Sequence, residues 1–275
     1  MDIRLIAMDL DGTALREDRC SFSPRLIAAL EEAHRRGIAI VPVTGRQYDL
    51  LPPAVRGEPA WGSLAVLCNG GQIRKLNTGE LLYSLYIPKT ALDQLHALAN
   101  RLKIPLEFSR EGRLHLTKDS YDAQLPHKDL TFHVHTILKK SGVIVESLLP
   151  LCREGIIEKA QLPHIPEHLR REVEQALKEI DVSAVWSSAS SMEITHSEAT
   201  KGNAIGQLSR LLDIPTEQIL ALGDSGNDIS MLRRAGLGIA MGNAPEEVKA
   251  AADGVSESNY RDGAAIAIEK YALGK

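Results

Sequence analysis

Cysteine is scarce in these 275 residues, and the three present, Cys20, Cys68 and Cys152, lie far apart with no Cys-x-x-Cys spacing. That excludes a disulfide scaffold and a cysteine-held metal centre. Long hydrophobic runs are also missing, since no apolar stretch approaches the roughly 20 residues needed to span a bilayer. No basic-then-apolar leader precedes the first strand-like run, which carries Asp2 and Arg4. With the unclustered cysteines, this creates the expectation of a cytoplasmic protein in a reducing compartment. A net charge of -4 lacks the cationic excess that nucleic acid or an anionic membrane would attract, so neither is an expected partner. There is no Gly-x-x-x-x-Gly-Lys-Ser/Thr segment, which excludes a P-loop NTPase. Gly236, Gly238 and Gly242 miss the Gly-x-Gly-x-x-Gly spacing and lie within a strand-like run, which excludes a dinucleotide fingerprint. Apolar content of 44% and charged content of 25% are those of a globular chain, long enough for one large domain or two smaller ones.

What is present is concentrated at Leu5-Ile6-Ala7-Met8-Asp9-Leu10-Asp11-Gly12-Thr13. The apolar run reads as a buried strand of a parallel sheet. Side chains two apart on an extended backbone point the same way, so Asp9 and Asp11 are expected to project together from its carboxyl end. Open α/β sheets place their ligands there. Two adjacent carboxylates repel unless a cation or a shared proton compensates them. The pair suits a hard divalent metal, and equally a carboxylate nucleophile with a second carboxyl as acid and base. A plain strand-to-turn junction has similar residues, so the decision rests on segments downstream.

Residues 1–80 alternate strand and helix. Ser23-Pro24 reads as an N-cap with proline at the first helical position, and Gly37 is placed to end that helix. Ile38 to Val43 reads as a second strand running into Thr44-Gly45-Arg46, and Leu64 to Leu67 as a third running into Asn69-Gly70-Gly71. From about residue 83 the texture changes. Leu92, Leu95, Leu98 and Leu102 make one amphipathic helix, and Pro166 to Ile180 another, with Leu169, Val173 and Leu177 on one side. Alternation at Leu114 and Leu116, and at His133-Val134-His135, predicts strands with one wet face, in a layer with helices on the other. From Glu193 the first pattern returns. Thr200 to Leu212 reads as a helix, Ile219 to Leu222 as a strand ending in Gly223-Asp224-Ser225-Gly226-Asn227-Asp228, Leu237 to Met241 as a strand, and Ala264 to Tyr271 as a closing helix. The expected organisation is a discontinuous α/β core, residues 1–82 and 189–275, with a second α+β domain, 83–188, inserted.

Four segments in this order, Asp9-Leu10-Asp11-Gly12-Thr13, Val43-Thr44-Gly45-Arg46, Lys201-Gly202-Asn203-Ala204 and Gly223 to Asp228, make the chain resemble the haloacid dehalogenase superfamily along its whole length. The specific likeness is to the Cof-like, type IIB sugar phosphatases. The resemblance implies a Rossmann-like, doubly wound parallel-sheet core with an inserted α+β cap of the C2 type. It implies a Mg²⁺-dependent phosphatase acting on a small phosphorylated metabolite. Asp9 would take the phosphoryl group as an aspartyl-phosphate, and Asp11 would protonate the leaving alkoxide and then activate water. Leu10, Thr44, Gly45 and Asn227 would hold phosphoryl oxygens, with Arg46 and Asn69 bordering the substrate. Lys201 would neutralise the transferring charge. Mg²⁺ would be held by Asp9, the backbone carbonyl of Asp11 and Asp224, with Asp228 in support.

The cap would select the substrate, with Arg113, His115, Lys118, His127, His133 and His135 as its polar candidates. A zinc pair at His133 and His135 would lack a third ligand at a telling spacing. Sugar phosphates stand first among substrates; pyridoxal phosphate, flavin mononucleotide and phosphoglycolate-like acids remain open. Two alternatives keep the fold: a phosphosugar mutase, and a phosphate-binding regulator without turnover.

Overall fold

The computed structural model describes residues 2–57 and 59–275. The chain forms two compact units, one of Met1–Arg46, Leu51–Tyr83 and Thr200–Lys275, the other of Gln47–Leu50 and Ser84–Ala199.

The first unit is built on a five-stranded parallel sheet in the order Gly254–Val255, Leu237–Ala240, Ile219–Gly223, Leu5–Met8, Ala39–Pro42. The two central strands, Leu-Ile-Ala-Met and Ile-Leu-Ala-Leu-Gly, are buried along their whole length. Helices cover the sheet, which is why these strands read as continuous apolar runs. Pro24–Arg35 packs on Gly263–Tyr271, and Lys201–Leu212 on Ile229–Arg234. Ser23 caps the first of these helices by accepting a hydrogen bond from the Leu26 N–H, with Pro24 opening it. From Leu5–Met8 the chain steps to Ala39–Pro42 on one side and returns through Ile219–Gly223 on the other. The strand order therefore reverses beside the carboxyl end of Leu5–Met8, where a crevice opens above an α/β sheet.

Leu64–Leu67 meets this sheet through a parallel bridge between Val43 and Val66, and Gly62 just before it bridges to Ile40. The strand then turns back as an antiparallel hairpin onto Gln72–Lys75, with Leu67 opposite Gln72. The turn passes through three successive positive-φ residues, Cys68, Asn69 and Gly70. Gly70 has no substitute there, since at φ 106° a Cβ would lie 2.3 Å from the Thr200 carbonyl oxygen.

The second unit holds a six-stranded sheet in the order Val182–Trp186, Met192–His196, Lys159–Leu162, Glu107–Arg110, Arg113–Thr117, Gly142–Val145. All neighbours are antiparallel except the last pair. Phe108, Ala160 and Ile194 pack on one face against Leu92, Leu95 and Leu98 of helix Lys89–Leu102 and against Val173 and Leu177 of helix Arg170–Lys178. This unit runs to Ala199, beyond the expected return at residue 189. Met192–His196 is an inner strand of its sheet, paired on both sides, so Glu193 does not begin the first unit's pattern again.

In strand Arg113–Thr117 the expected alternation holds, with Arg113 exposed, His115 and Thr117 half-buried, and Leu114 and Leu116 turned inward. They are buried with Leu130, Val134 and Leu138 on the opposite side from Phe108. The stretch His133–Leu138 is helical, not a strand, and Leu130, Val134, Ile137 and Leu138 recur at helical spacing to cover this second face. Positions two apart diverge on a helix, so His133 and His135 share no face. His133 turns inward, its Nε2 3.0 Å from the fully buried Glu107 carboxylate, while His135 is exposed. A zinc pair at these two histidines is thereby removed.

Thr200 links fold to site, because its hydroxyl accepts from the Asn203 N–H and caps the helix that Lys201 begins. Thr200→Ala is expected to cost about 1 kcal/mol in urea unfolding, with Thr200→Ser recovering most of it.

Candidate active site

The pairing of Leu5–Met8 with its neighbour continues one residue further, the Asp9 N–H donating to the Leu222 carbonyl at 2.9 Å. Asp9 is thus held extended at the strand end and buried. Gly12, at φ 82°, then reverses the chain; a Cβ there would lie 2.3 Å from the Asp224 carboxylate. The loop after Ile219–Gly223 is able to meet the first loop only because residue 12 has no side chain.

Lys201 stands at the centre. Its side chain is 1% exposed, and its Nζ lies 2.6 Å from both Asp9 Oδ1 and Asp228 Oδ1. The other Asp228 oxygen accepts from the backbone N–H groups of Asp224 and Ser225, each at 3.0 Å. Both Asp228 oxygens are therefore engaged, and this residue braces the loop. Asp224 accepts from the Thr13 hydroxyl at 2.9 Å and from Asn243 Nδ2 at 3.4 Å, while Asn243 also donates to the Gly12 carbonyl at 2.9 Å. Asp9, Asp224 and Asp228 each place an oxygen within 4.8 Å of the others.

Asp11 goes elsewhere. Arg46 Nε and Nη2 donate to its two oxygens at 2.7 and 2.6 Å, a bidentate, charge-assisted pair. Asp9 and Asp11 thus leave the same strand end towards different partners, Asp9 to a buried lysine and Asp11 to a half-buried arginine. Thr44 is buried beside them, and its hydroxyl accepts from the Arg46 N–H at 3.1 Å. The positive-φ Asn69 is tied to this loop by donating its N–H to the Thr44 carbonyl at 3.1 Å, and its side-chain oxygen accepts from Asn227 Nδ2 at 3.0 Å. Leu10 is buried and Gly45 partly so. The structure brings Asp9, Thr44, Asn69, Lys201, Asp224, Asn227 and Asp228 into one connected network, with the Asp11–Arg46 pair at its edge.

Thr13, Ser225 and Asn243 were absent from the candidates drawn from sequence. Asn243 had a usable signal: like Asp9, Thr44 and Asp224, it follows an apolar strand of the parallel sheet at the carboxyl end. Thr13 had none beyond its neighbours, because its partner is 211 positions away.

Electrostatically the cluster is short of positive charge. Burial pushes the Asp9 carboxyl up, Asp228 and Asp224 add to that, and Lys201 opposes it. Lys201 is raised: burial acts against its charge but is outweighed by Asp228 and Asp9. Asp224 is pushed up to about 6, by burial first and then by Asp228 and Asp11, against the Thr13 hydrogen bond and Lys201. One ammonium among three carboxylates leaves room for a cation. The donors are all hard oxygens, and among the described residues Asp9 and Asp228 have Lys201 as their one cation contact and Asp224 has none; such a set fits a divalent ion of the Mg²⁺ kind.

A family model of haloacid dehalogenase-like hydrolases matches residues 6–268. The chain belongs to that family. It is 31% identical to YxeH of Bacillus subtilis (strain 168), over 99% of both chains. It is 27% identical to a second protein of that organism, 5-amino-6-(5-phospho-D-ribitylamino)uracil phosphatase YcsE, over 99% of this chain and 97% of the other. Among solved structures, the subclass IIB sugar phosphatase BT4131 superposes with a TM-score of 0.82 at 25% identity, covering 98% of this chain and 99% of the other. This haloacid dehalogenase-like hydrolase is a phosphatase, and its fold is that of the family. Among the described residues, no helix is long and apolar enough to cross a membrane.

The raised Asp224 carboxyl has a stability consequence in metal-free protein. Between 3.8 and about 6 the folded protein keeps a proton that the unfolded chain has lost. The associated stability is fully present below 3.8 and is lost as pH rises through about 6. In EDTA at neutral pH, Asp224→Asn is expected to raise unfolding stability by about 2 kcal/mol. Near pH 4 the gain should vanish, as read by chemical denaturation at both pH values.

Proposed function

We propose that this phosphatase hydrolyses small phosphate monoesters, sugar phosphates first, through a phosphorylated Asp9. The observation that carries this reading is the Lys201 ammonium, buried and 2.6 Å from both Asp9 and Asp228, at the switch point of the parallel sheet. A carboxylate fixed against a cation at such a crevice is held in position to attack a bound phosphoryl group. The names of YcsE and BT4131 both concern phosphate esters of polyhydroxylated carbon chains, which supports that substrate class.

Phosphoryl oxygens dock against Lys201, the Leu10 and Gly45 backbone, and Asn227. The Thr44 hydroxyl accepts from the Arg46 N–H, so its own proton is left to donate to the phosphoryl group. Asp9 attacks phosphorus; the Asp9–phosphorus bond forms as the ester P–O bond breaks. Asp11 passes a proton to the departing alkoxide, then takes one from the water that attacks the aspartyl-phosphate and restores the Asp9 carboxylate and inorganic phosphate. Arg46, bidentate on Asp11, orients that carboxyl and must yield one oxygen when it carries a proton. Asp9, the Asp11 carbonyl and Asp224 would hold a Mg²⁺ ion, which would supply a Lewis acid and shield Asp9 from the phosphate's charge. Asp228 keeps Lys201 and the Asp224 backbone in register. The inserted unit, as the cap, selects the alcohol; Arg113, His115, Lys118 and His127 are its polar candidates, with Lys118 paired to Asp122. The protein works in the cytoplasm.

Phosphate release from a panel of phosphorylated metabolites, with Mg²⁺ or with EDTA, tests the reading. Release from a few sugar phosphates, abolished by EDTA, is expected. Asp9→Asn is expected to lower kcat by at least about a thousandfold with unchanged circular dichroism. Asp11→Asn should cost about 10²–10⁴-fold on alkyl phosphates. Retained turnover in Asp9→Asn would falsify the nucleophile assignment. Isomerised sugar phosphate without free phosphate would instead mark a mutase.

A further inference from the structure

We propose, taking Asp11 as the acid for the leaving alcohol, that Gln47 is a positioning residue: it ties Arg46, and through Arg46 the Asp11 carboxyl, to the inserted unit. Gln47–Leu50 belongs with the inserted unit, although residues on either side of it belong to the first. The boundary therefore falls at one peptide bond, with Arg46 before it and Gln47 after it. Consecutive Cα atoms are about 3.8 Å apart, so no slack separates the two.

Both sides of that bond are pinned. In the first unit, the Arg46 N–H donates to the Thr44 hydroxyl at 3.1 Å, and the Arg46 carbonyl accepts from the Cys68 N–H at 3.1 Å. The guanidinium grips both Asp11 oxygens and also donates to the Arg19 carbonyl at 3.0 Å. In the inserted unit, the Gln47 side chain is buried and bonded at both ends of its amide. Its Nε2 donates to the Gly112 carbonyl at 2.9 Å, and its Oε1 accepts from the Ser109 hydroxyl at 2.5 Å. Ser109 lies in strand Glu107–Arg110, and Gly112 in the turn that leads to Arg113–Thr117. One amide thus holds a strand and its turn together. The turn is braced in its own right, since the Gly112 N–H donates to the buried Glu158 carboxylate at 3.3 Å. The Gln47 carbonyl accepts from the Leu50 N–H at 3.0 Å, which closes the short helical turn Tyr48–Leu50.

Apolar packing is non-directional, whereas two hydrogen bonds fix where an amide points. With no slack at the boundary, what holds Gln47 also fixes the direction in which the chain leaves Arg46. Arg46 passes that direction on, because a planar guanidinium paired bidentately with a carboxylate sets its orientation as well as its distance. Asp11 is partly exposed, and among the described residues Arg46 is the one that bonds its carboxylate. Its aim therefore depends on Arg46. A misplacement of about 1 Å at a reacting group costs about 10²-fold in rate, so a small loss of aim is measurable.

The test compares kcat/KM, which covers the steps up to loss of the alcohol, for phenyl phosphate and p-nitrophenyl phosphate. The two esters present nearly the same ring, but phenolate needs a proton to leave far more than p-nitrophenolate does. Gln47→Leu is expected to lower kcat/KM about tenfold more on phenyl phosphate than on p-nitrophenyl phosphate. Ser109→Ala, which removes one hydroxyl and guards against a misfolded Gln47→Leu, should shift the ratio in the same sense by less. Equal losses on both esters in the two variants, as a merely structural role would give, would overturn the proposal, as would no loss in either. Asp11→Asn is the reference. A selective loss on phenyl phosphate there, with none in Gln47→Leu, overturns the role of Gln47 alone; equal losses in Asp11→Asn overturn the acid assignment beneath it.

Discussion

One buried ammonium organises the catalytic unit. Lys201 bonds Asp9 from the first strand and Asp228 from the loop after Ile219–Gly223, elements 192 and 27 positions away in sequence. Taking three charges out of water is costly, and removing one partner would strand the others. The surroundings meet that cost with hydrogen bonds: the Asp224 and Ser225 N–H groups on Asp228, and the Thr13 hydroxyl on Asp224. The remaining surplus of negative charge suits the site to a divalent cation.

The parallel sheet makes this convergence possible. Its strands deliver Asp9, Thr44, Asp224 and Asn243 at one end, and the reversal of strand order leaves space above Leu5–Met8. Close approach is allowed by Gly12, facing the Asp224 carboxylate, and by Gly70, facing the Thr200 carbonyl that opens the Lys201 helix. The left-handed turn at Cys68 and Asn69 stores backbone strain where Asn69 meets Thr44 and Asn227.

The inserted unit follows a different economy. Its sheet buries both faces, with Phe108 on one side and Leu114 and Leu116 on the other. The second face also buries Glu107, which is satisfied by His133 and Gln124. Histidines that look equivalent in the sequence therefore separate into three kinds: His133 bonded to a buried carboxylate, His135 exposed, and His127 stacked on His164.

Local pattern in the sequence was enough for the parallel core, because continuous apolar strands, the Ser23 cap and the Asp9, Thr44, Lys201 and Asp224 segments each announce themselves within a few residues. It was not enough for the boundary at Ala199, since Met192–His196 differs from a core strand only in which neighbours it pairs with. Nor could it place His133–Leu138, where a short run fits strand alternation and helical spacing alike until Leu114 and Leu116 supply the surface to be covered. Side-chain partnership was decided last and only by tertiary structure. Arg46 on Asp11, Asn243 on Asp224 and His164 beside Asp129 are long-range pairs, and nothing local in a chain determines which distant polar groups will share one low-dielectric space.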